Sequence, residues 1–313
     1  MEYEAKEHDF LAALLGSSNV NSFLSEIWGK RYFFRQGGPE RVAQLLGRPF
    51  DKGDLLEATR QTAERNPKQL RVYASSSRKE SVHGAPRRGL RAVDHRDIEQ
   101  VLLEGASVLV ENLADTHLAD FANNWRICLG HMGSIQIRST ITPLGGRHTP
   151  HVDPTCSLFI HCQGEKKFRI SPRPVIQAPI DSAVLTHQGA LKWNNHSPSN
   201  WEVREGIDET EFIEITMRPG DILYFPAGTV HATEAMTDDC AGINFQFAHV
   251  DVFQIIAPVL RRHLLENPTW RRVPVLPRPS SSRKGTISVD FIAERLAELQ
   301  AAVDSLRAEE FNV

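Results

Sequence analysis

The stretch from residue 133 to about residue 250 constrains the fold more than any other part of the chain. Ser134-Ile135-Gln136-Ile137-Arg138-Ser139-Thr140-Ile141 alternates apolar and polar at period two, and so does Lys167-Phe168-Arg169-Ile170. Successive side chains of a strand point to opposite faces, so this period predicts strands. Gly and Pro turns break the stretch into short strands as far as Val250, which is the texture of a β-sandwich or barrel.

Helical spacing brackets this region. Phe10, Leu11, Leu14 and Leu15 predict helix within residues 8–30, with Ser22 to Glu26 reading as a helix start of the capping-box kind. A strand is expected over Tyr32–Arg35, a second helix through Val42, Leu45 and Leu46, and a strand over Gln69–Ala74. Helices follow over 96–105 and 115–129, with strand Val108–Val110 between them. Behind the β region, helices are predicted over Val252–Leu265 and Val289–Leu306, joined by the Pro- and Ser-rich linker Pro274–Gly285. The expected fold is mainly β with N-terminal and C-terminal helical additions. Its expected divisions are 1–130 (mixed, mostly helical, packing on the barrel), 131–250 (barrel) and 251–313 (helical).

Composition narrows the function. The 313 residues carry 36 Lys plus Arg against 39 Asp plus Glu, a net charge of −3, without the basic excess of a nucleic-acid binder. Arg271-Arg272 and the run Arg278 to Lys284 read as surface charge. Cys128, Cys156, Cys162 and Cys240 form no CxxC pair, so neither a zinc ribbon nor a thioredoxin-like motif is present and reduced, structural cysteines are expected. The first residues lack a secretory pattern and no run reaches the roughly 18 apolar residues of a membrane span. A cytoplasmic enzyme is the expectation.

A 2-His-1-carboxylate metal site needs two side chains on one face of an extended segment and a third from a distant strand. Three HxD triplets occur: His95-Arg96-Asp97, His151-Val152-Asp153 and His249-Val250-Asp251. His95 opens a helical stretch, where positions two apart diverge by about 200°, and His249 ends the β region with only His263 behind it, inside a helix. His151 instead follows the turn Gly145-Gly146 and precedes strands, and Pro219-Gly220-Asp221-Ile222-Leu223-Tyr224-Phe225-Pro226-Ala227-Gly228-Thr229-Val230-His231 reads as turn, strand, turn, histidine. His151, Asp153 and His231 are therefore the candidate metal ligands. Ligand type alone leaves iron, manganese, cobalt and zinc open.

The segments Gly145 to Asp153, Leu158 to Ile170 and Pro219 to His231 resemble the JmjC-type, cupin-fold 2-oxoglutarate oxygenases, in particular the ribosomal-oxygenase-like branch. Phe23-Leu24-Ser25-Glu26-Ile27-Trp28-Gly29-Lys30-Arg31-Tyr32-Phe33-Phe34-Arg35 is similar to a motif at the front of that branch, so the resemblance runs over roughly residues 20 to 275. It implies a double-stranded β-helix (cupin, jelly-roll) barrel as the catalytic unit, with Fe(II), 2-oxoglutarate and O2 as cofactor and cosubstrates. Oxidative decarboxylation of 2-oxoglutarate to succinate and carbon dioxide would be coupled to hydroxylation of a substrate. The branch places a lysine two residues after a glycine on the far carboxylate of 2-oxoglutarate. Gly164-Glu165-Lys166 puts Lys166 in that place, and Lys167 must face the other way. Thr140, Ser157 and Asn244 lie on candidate strands and are secondary candidates for binding 2-oxoglutarate. No general base is required, so His148 and His161 are expected to be structural or to support the ligands. One departure bears on the substrate pocket: protein-hydroxylating relatives tend to carry Asn-x-Tyr on the strand before HxD, whereas this chain has Arg138-Ser139-Thr140.

The ribosomal-type relatives continue into a helical dimerisation unit, and the residues after Val250 are enough for one, so a homodimer is expected. The substrate is expected to be an amino-acid side chain in a protein or peptide. The alternative is a free amino acid or natural-product intermediate, and the loop Leu185–Ile207, with Trp193, Asn194, Asn195, His196 and Trp201, would cover either. A non-catalytic metal-binding cupin is the third reading, and the joint presence of His151, Asp153, His231 and Lys166 argues against it. No nucleic-acid or membrane partner is expected.

Overall fold

The computed structural model of the chain describes residues 12–16, 20–73, 94–195, 206–271 and 289–307. The chain divides into two compact units, Met1–His249 and Val250–Val313.

The first unit is built on thirteen strands: β1 (Phe33–Arg35), β2 (Leu70–Tyr73), β3 (Ser107–Glu111), β4 (Ile135–Thr142), β5 (Arg147–Val152), β6 (Thr155–Gln163), β7 (Lys166–Ile170), β8 (Ala183–Leu185), β9 (Leu191–Trp193), β10 (Ile213–Met217), β11 (Ile222–Phe225), β12 (His231–Ala235) and β13 (Cys240–Ala248). They form a seven-stranded sheet in the order β1-β11-β6-β13-β4-β3-β2 and a six-stranded sheet in the order β10-β7-β12-β5-β8-β9. Every pairing is antiparallel. β4 to β7, and again β10 to β13, alternate between the two sheets, the jelly-roll arrangement of a double-stranded β-helix. The expected fold class is the one observed.

Period two decides what each face of the larger sheet does. On β13, Ala241, Ile243, Phe245 and Phe247 turn outward into one hydrophobic core with Ile137, Ile141, Leu158 and Ile160. The helices Lys52–Arg65 and Thr116–Leu129 supply Leu55, Leu118, Phe121 and Trp125 to that core. The intervening residues, Gly242, Asn244 and Gln246, therefore face the other way, toward the smaller sheet. The sheets meet at one end through Phe159 and Phe225 on one side and Phe168 and Ile170 on the other, with the Phe159 and Phe168 rings edge-on at 5.0 Å.

The motif at the front of the chain closes the larger sheet. β1 pairs with β11, Trp28 stacks on Tyr224 at 5.0 Å, and the Gly29 amide donates to the Tyr224 hydroxyl at 2.8 Å. The region expected as helix over 8–30 contains Ala12–Leu15 and Val20–Ser22 as helix and Phe23–Ile27 as a π-helical turn. Ser22 already has helical backbone angles and is not a cap of the kind expected. True capping boxes stand elsewhere, at Asp51 with Asp54 and at Asp251 with Gln254, where the cap residue is extended and side chain and backbone amide bond reciprocally.

The second unit contains helices Val252–Glu266, Pro268–Arg271 and Val289–Ser305. Trp270 donates to Glu298 at 2.6 Å and Arg295 pairs with Glu298 at 2.9 Å. Val252, Phe253, Leu296 and Val303 are exposed. The linker Pro274–Gly285, and His196 and Trp201 of the long loop, lie outside the described residues.

Candidate active site

β5 and β12 are neighbours in the smaller sheet, and their register sets His151 directly across from His231, with ring centroids 4.1 Å apart. Asp153 stands just past the end of β5, two residues on from His151. Asp153 Oδ2 lies 3.9 Å from His151 Nε2 and 3.9 Å from His231 Nε2. One ligand atom from each of the three converges within 4.8 Å. Among the described residues this is the one group of three or more His, Cys, Asp or Glu side chains arranged so.

Local bonds orient these donors. His151 Nδ1 lies 2.7 Å from the Thr149 carbonyl and His231 Nδ1 lies 3.1 Å from the Thr229 carbonyl. A carbonyl only accepts, so each Nδ1 carries the proton and each Nε2 turns a lone pair toward the shared point. Asp153 Oδ1 accepts from the Ser182 hydroxyl at 2.9 Å and its backbone carbonyl accepts from the Gly228 amide at 3.0 Å. Gln246 Nε2 reaches Asp153 Oδ2 at 3.5 Å. The turn before His231 depends on Gly228, whose φ is +77° and where a Cβ would sit 2.0 Å from the Ile176 carbonyl oxygen.

Electrostatics leave the site in its ligating form. Burial works against ionising the Asp153 carboxyl, but His151, His231, Arg138 and the Ser182 hydrogen bond outweigh it and hold the group at about 2. Burial, then the neighbouring His151, pushes His231 down to about 3. At neutral pH the site thus offers one carboxylate and an uncharged His231, a donor set suited to a divalent transition metal.

Lys166 opens β7 with 4 % of its surface exposed, and burial pushes its pKa down. No ion pair to Lys166 forms among the described residues, whereas its neighbour Lys167 faces outward and pairs with Glu214 at 3.9 Å. Lys166 stands opposite Ala235 and Ile170 stands opposite His231. Four strand residues, roughly 13 Å of backbone, thus separate Lys166 from the position facing the triad, and its side chain shortens that gap. Burial and then the Lys166 charge push His148 down to about 3 and His161 to about 4, so both histidines lie in its field.

Between the triad and Lys166, Phe168 shares the inward face of β7, and the polar atoms of the barrel interior are under-satisfied. Ser157 Oγ, Asn244 Oδ1, Thr229 Oγ1 and Thr233 Oγ1 are buried with no hydrogen-bond partner. Thr140 faces the same interior with its hydroxyl on the Gly242 carbonyl at 3.4 Å. An unpaired buried cation and several orphaned polar atoms are costly in an empty chamber and favourable around an anion. Thr229, Thr233, Ser182 and Gln246 were not expected. The two threonines flank His231 at period two, which was a usable signal; Ser182 and Gln246 are brought in by tertiary contact alone.

The two rejected HxD triplets have other roles. His95–Asp97 is a turn of 3-10 helix. His249 Nε2 lies 3.4 Å from Cys156 Sγ, and Asp251 caps the helix that follows.

Comparison with known proteins agrees with this geometry. Residues 116–254 match the JmjC domain family. The mosquito Culex quinquefasciatus bifunctional lysine-specific demethylase and histidyl-hydroxylase NO66 is 26% identical over 232 residues, covering 69% of this chain and 30% of that protein. The uncharacterized protein YxbC of Bacillus subtilis is 25% identical over 134 residues, covering 42% of this chain and 39% of the relative. The chain thus spans well under half the length of these curated relatives. The Escherichia coli ribosomal oxygenase YcfD shares the fold at a TM-score of 0.50 and 16% identity, over 94% of this chain and 68% of that one. The strands that carry His151, His231 and Lys166, and Asp153 just past β5, lie inside the segment that matches the JmjC domain family.

Proposed function

We propose that this chain is an Fe(II)- and 2-oxoglutarate-dependent oxygenase that hydroxylates an amino-acid side chain of a protein or peptide. One observation carries the reading: a two-histidine, one-carboxylate triad shares the barrel interior with a buried lysine that has no anionic partner among the described residues. A lysine without a counter-ion calls for an anion, and the distance between it and the triad calls for one with two ends. When bound, iron and 2-oxoglutarate supply the oxidising power for hydroxylation by O2, with succinate and carbon dioxide as by-products.

The chain's own residues have simpler tasks. His151, Asp153 and His231 hold the metal, and Lys166 receives the far carboxylate of 2-oxoglutarate. Ser157 and Asn244, with the unforeseen Thr229 and Thr233, offer hydrogen bonds along the chamber. Phe168, Phe225 and Ile170, with the partly buried Phe159, give the chamber an apolar side that reaches the His231 ring. No side chain is asked to move a proton, which agrees with His148 and His161 being held neutral.

A protein substrate is favoured by the relatives, one named as a histidyl-hydroxylase and one as a ribosomal oxygenase. The divisions 1–130, 131–250 and 251–313 serve as the mixed front, the catalytic barrel and a dimerisation unit. The exposed apolar side chains Val252, Phe253, Leu296 and Val303 support a homodimer. No helix of the described residues is long and apolar enough to cross a membrane, and the buried, unbridged thiols of Cys156, Cys162 and Cys240 suit the reducing cytoplasm.

The test is succinate formation by anaerobically purified protein given Fe(II), ascorbate, 2-oxoglutarate and air. Wild type should form succinate, Asp153→Ala none, and Lys166→Ala only at far higher 2-oxoglutarate. No succinate from metal-loaded wild type, together with no heat of 2-oxoglutarate binding, would overturn the proposal.

A further inference from the structure

β4 carries a charged side chain into the reaction chamber. Ile137 and Ile141 face the outer core and Ser139 bonds to Thr59 of the outer helix at 2.6 Å, so Arg138 projects from the opposite, inner face. Its cross-strand neighbours there are Asn244 on β13 and Glu111 on β3. The next pair along is Gln136 with Gln246, the residue that touches Asp153. Arg138 is thus one cross-strand position from the triad, while Lys166 lies at the other end of the chamber.

Arg138 has no carboxylate to itself. Glu111 meets Arg71 at 3.2 Å and Arg138 at 3.5 Å, so one carboxylate is shared by two guanidinium groups, and Asp153, the other carboxylate that feels Arg138, is turned toward His151 and His231. Arg138 Nε donates to the neutral Gln136 amide at 2.8 Å, and Nη1 makes no hydrogen bond among the described residues. The side chain is 22% exposed, deep enough that an unmatched guanidinium is costly and open enough to be reached. Both carboxylates of 2-oxoglutarate are already accounted for, one at the metal and one at Lys166.

From this arrangement we infer that Arg138 receives a carboxylate of the substrate, so that the group brought to the metal is an acidic side chain in a peptide or the immediate neighbour of one. What then happens to that group rests on the oxygenase reading; its binding does not. Arginine suits the task because its planar fork holds a carboxylate through two parallel hydrogen bonds. Glu111 occupies part of that fork in the free protein and would compete with the incoming group.

Binding is measured with the full chain loaded with Zn(II) and 2-oxoglutarate, which allows no turnover. The probes are capped peptides Ac-Ala-Ala-X-Ala-Ala-NH2 with X as Asp, Asn or Lys, and free aspartate. The Asp peptide should bind about tenfold or more tighter than the others. Arg138→Gln should erase that preference, Arg138→Lys should keep part of it, and Glu111→Gln should strengthen it, with thermal melting checked for each. The inference is overturned if wild type shows no Asp preference, or if the preference survives Arg138→Gln. It is also overturned if Arg138→Gln weakens 2-oxoglutarate binding as much as Lys166→Ala does, which would place Arg138 on the cosubstrate. Free aspartate binding as tightly as the peptide would overturn the assignment to a peptide. Absence of succinate formation would sink the oxygenase reading and leave the acidic preference standing.

Discussion

Lys166→Met should stabilise the ligand-free protein and abolish its response to 2-oxoglutarate, two effects of opposite sign from one substitution. Lys166 is 4% exposed with no ion pair among the described residues, so the folded state bears the desolvation of an ammonium group that the unfolded chain leaves in water. Methionine fills a similar volume without charge, and replacing buried ionic groups by apolar ones stabilises by roughly 1–4 kcal/mol. The pH dependence gives an independent sign. Burial lowers the folded pKa of Lys166 below its ordinary 10.5, so in the window between the two the unfolded chain binds more protons, and wild-type stability must rise with pH up to 10.5. The Met variant should lack that rise. With 2-oxoglutarate at a hundred times its dissociation constant, wild type gains about 2.7 kcal/mol and the variant gains nothing, so the order of stabilities inverts or closes. Urea unfolding in chelator, then with Zn(II) and 2-oxoglutarate, reads all three effects. A ligand-free Met variant less stable than wild type by about 1 kcal/mol or more would mean that Lys166 is compensated in the folded protein, and the anion-cradle argument would fall.

Three further outcomes are expected. Ser182→Ala frees Asp153 Oδ1 and should weaken Zn(II) or Co(II) binding about 10- to 100-fold; an unchanged affinity in a chelator competition would show that Ser182 does not orient the carboxylate. His161, 3% exposed and held near 4 by burial and then by Lys166, is neutral in the folded state. The unfolded chain takes up its proton below 6.5, so stability is intact above that pH and falls toward 4, by about 2 kcal/mol at pH 5; His161→Gln should flatten that part of the urea-midpoint profile. Gly228→Ala places a Cβ against the Ile176 carbonyl at positive φ and should cost about 3 kcal/mol or more, with metal affinity falling too because the Gly228 amide tethers Asp153. A melting temperature within a degree or two of wild type would refute the strain.

What could be read from the sequence followed one rule, the two-residue period of strands. It placed His151 and Asp153 on one face, separated Lys166 from Lys167, and set the helices of the flanks apart from the barrel. It also helped to sort three HxD triplets, because His95 falls in an expected helical stretch and His249 at the end of the β region; in the structure His95 lies in a turn of 3-10 helix and Asp251 caps a helix. The rule gives no information about which strands become neighbours. Ser182 reaches Asp153 from a loop 29 positions on and Gln246 from 93 positions on, and neither contact has a local signature. Arg138 was visible as a departure from the family's Asn-x-Tyr, but its meaning depends on β3 lying beside β4 so that Glu111 and Arg71 come within reach. The front of the chain misled for a related reason. Ser22 to Glu26 has the composition of a capping box, but the aromatic packing of Phe23 with Trp28, Trp125 and Tyr224 holds that segment inside a π-helical turn.

The distribution of polarity across the larger sheet explains how one barrel holds both a stable fold and an unsatisfied site. A closed barrel whose interior were its main core would have to fill that interior with apolar side chains. Here the outward faces of β4, β6 and β13 carry the aliphatic and aromatic residues, and the helices around Leu55, Phe121 and Trp125 cover them. Each such side chain contributes roughly 1.5–3 kcal/mol on burial, so the helices outside the barrel do the stabilising that interiors usually do. The inward faces of the same strands are then free to carry Arg138 and Gln246 together with Ser157 and Asn244, whose side-chain oxygens have no hydrogen-bond partner and would otherwise be destabilising. Truncating Trp125 should therefore cost about 3–5 kcal/mol of stability while removing no contact of the site, whereas Lys166→Met should empty the site of its anion affinity and leave the fold stronger. That opposite response locates stability outside the barrel and chemistry within it.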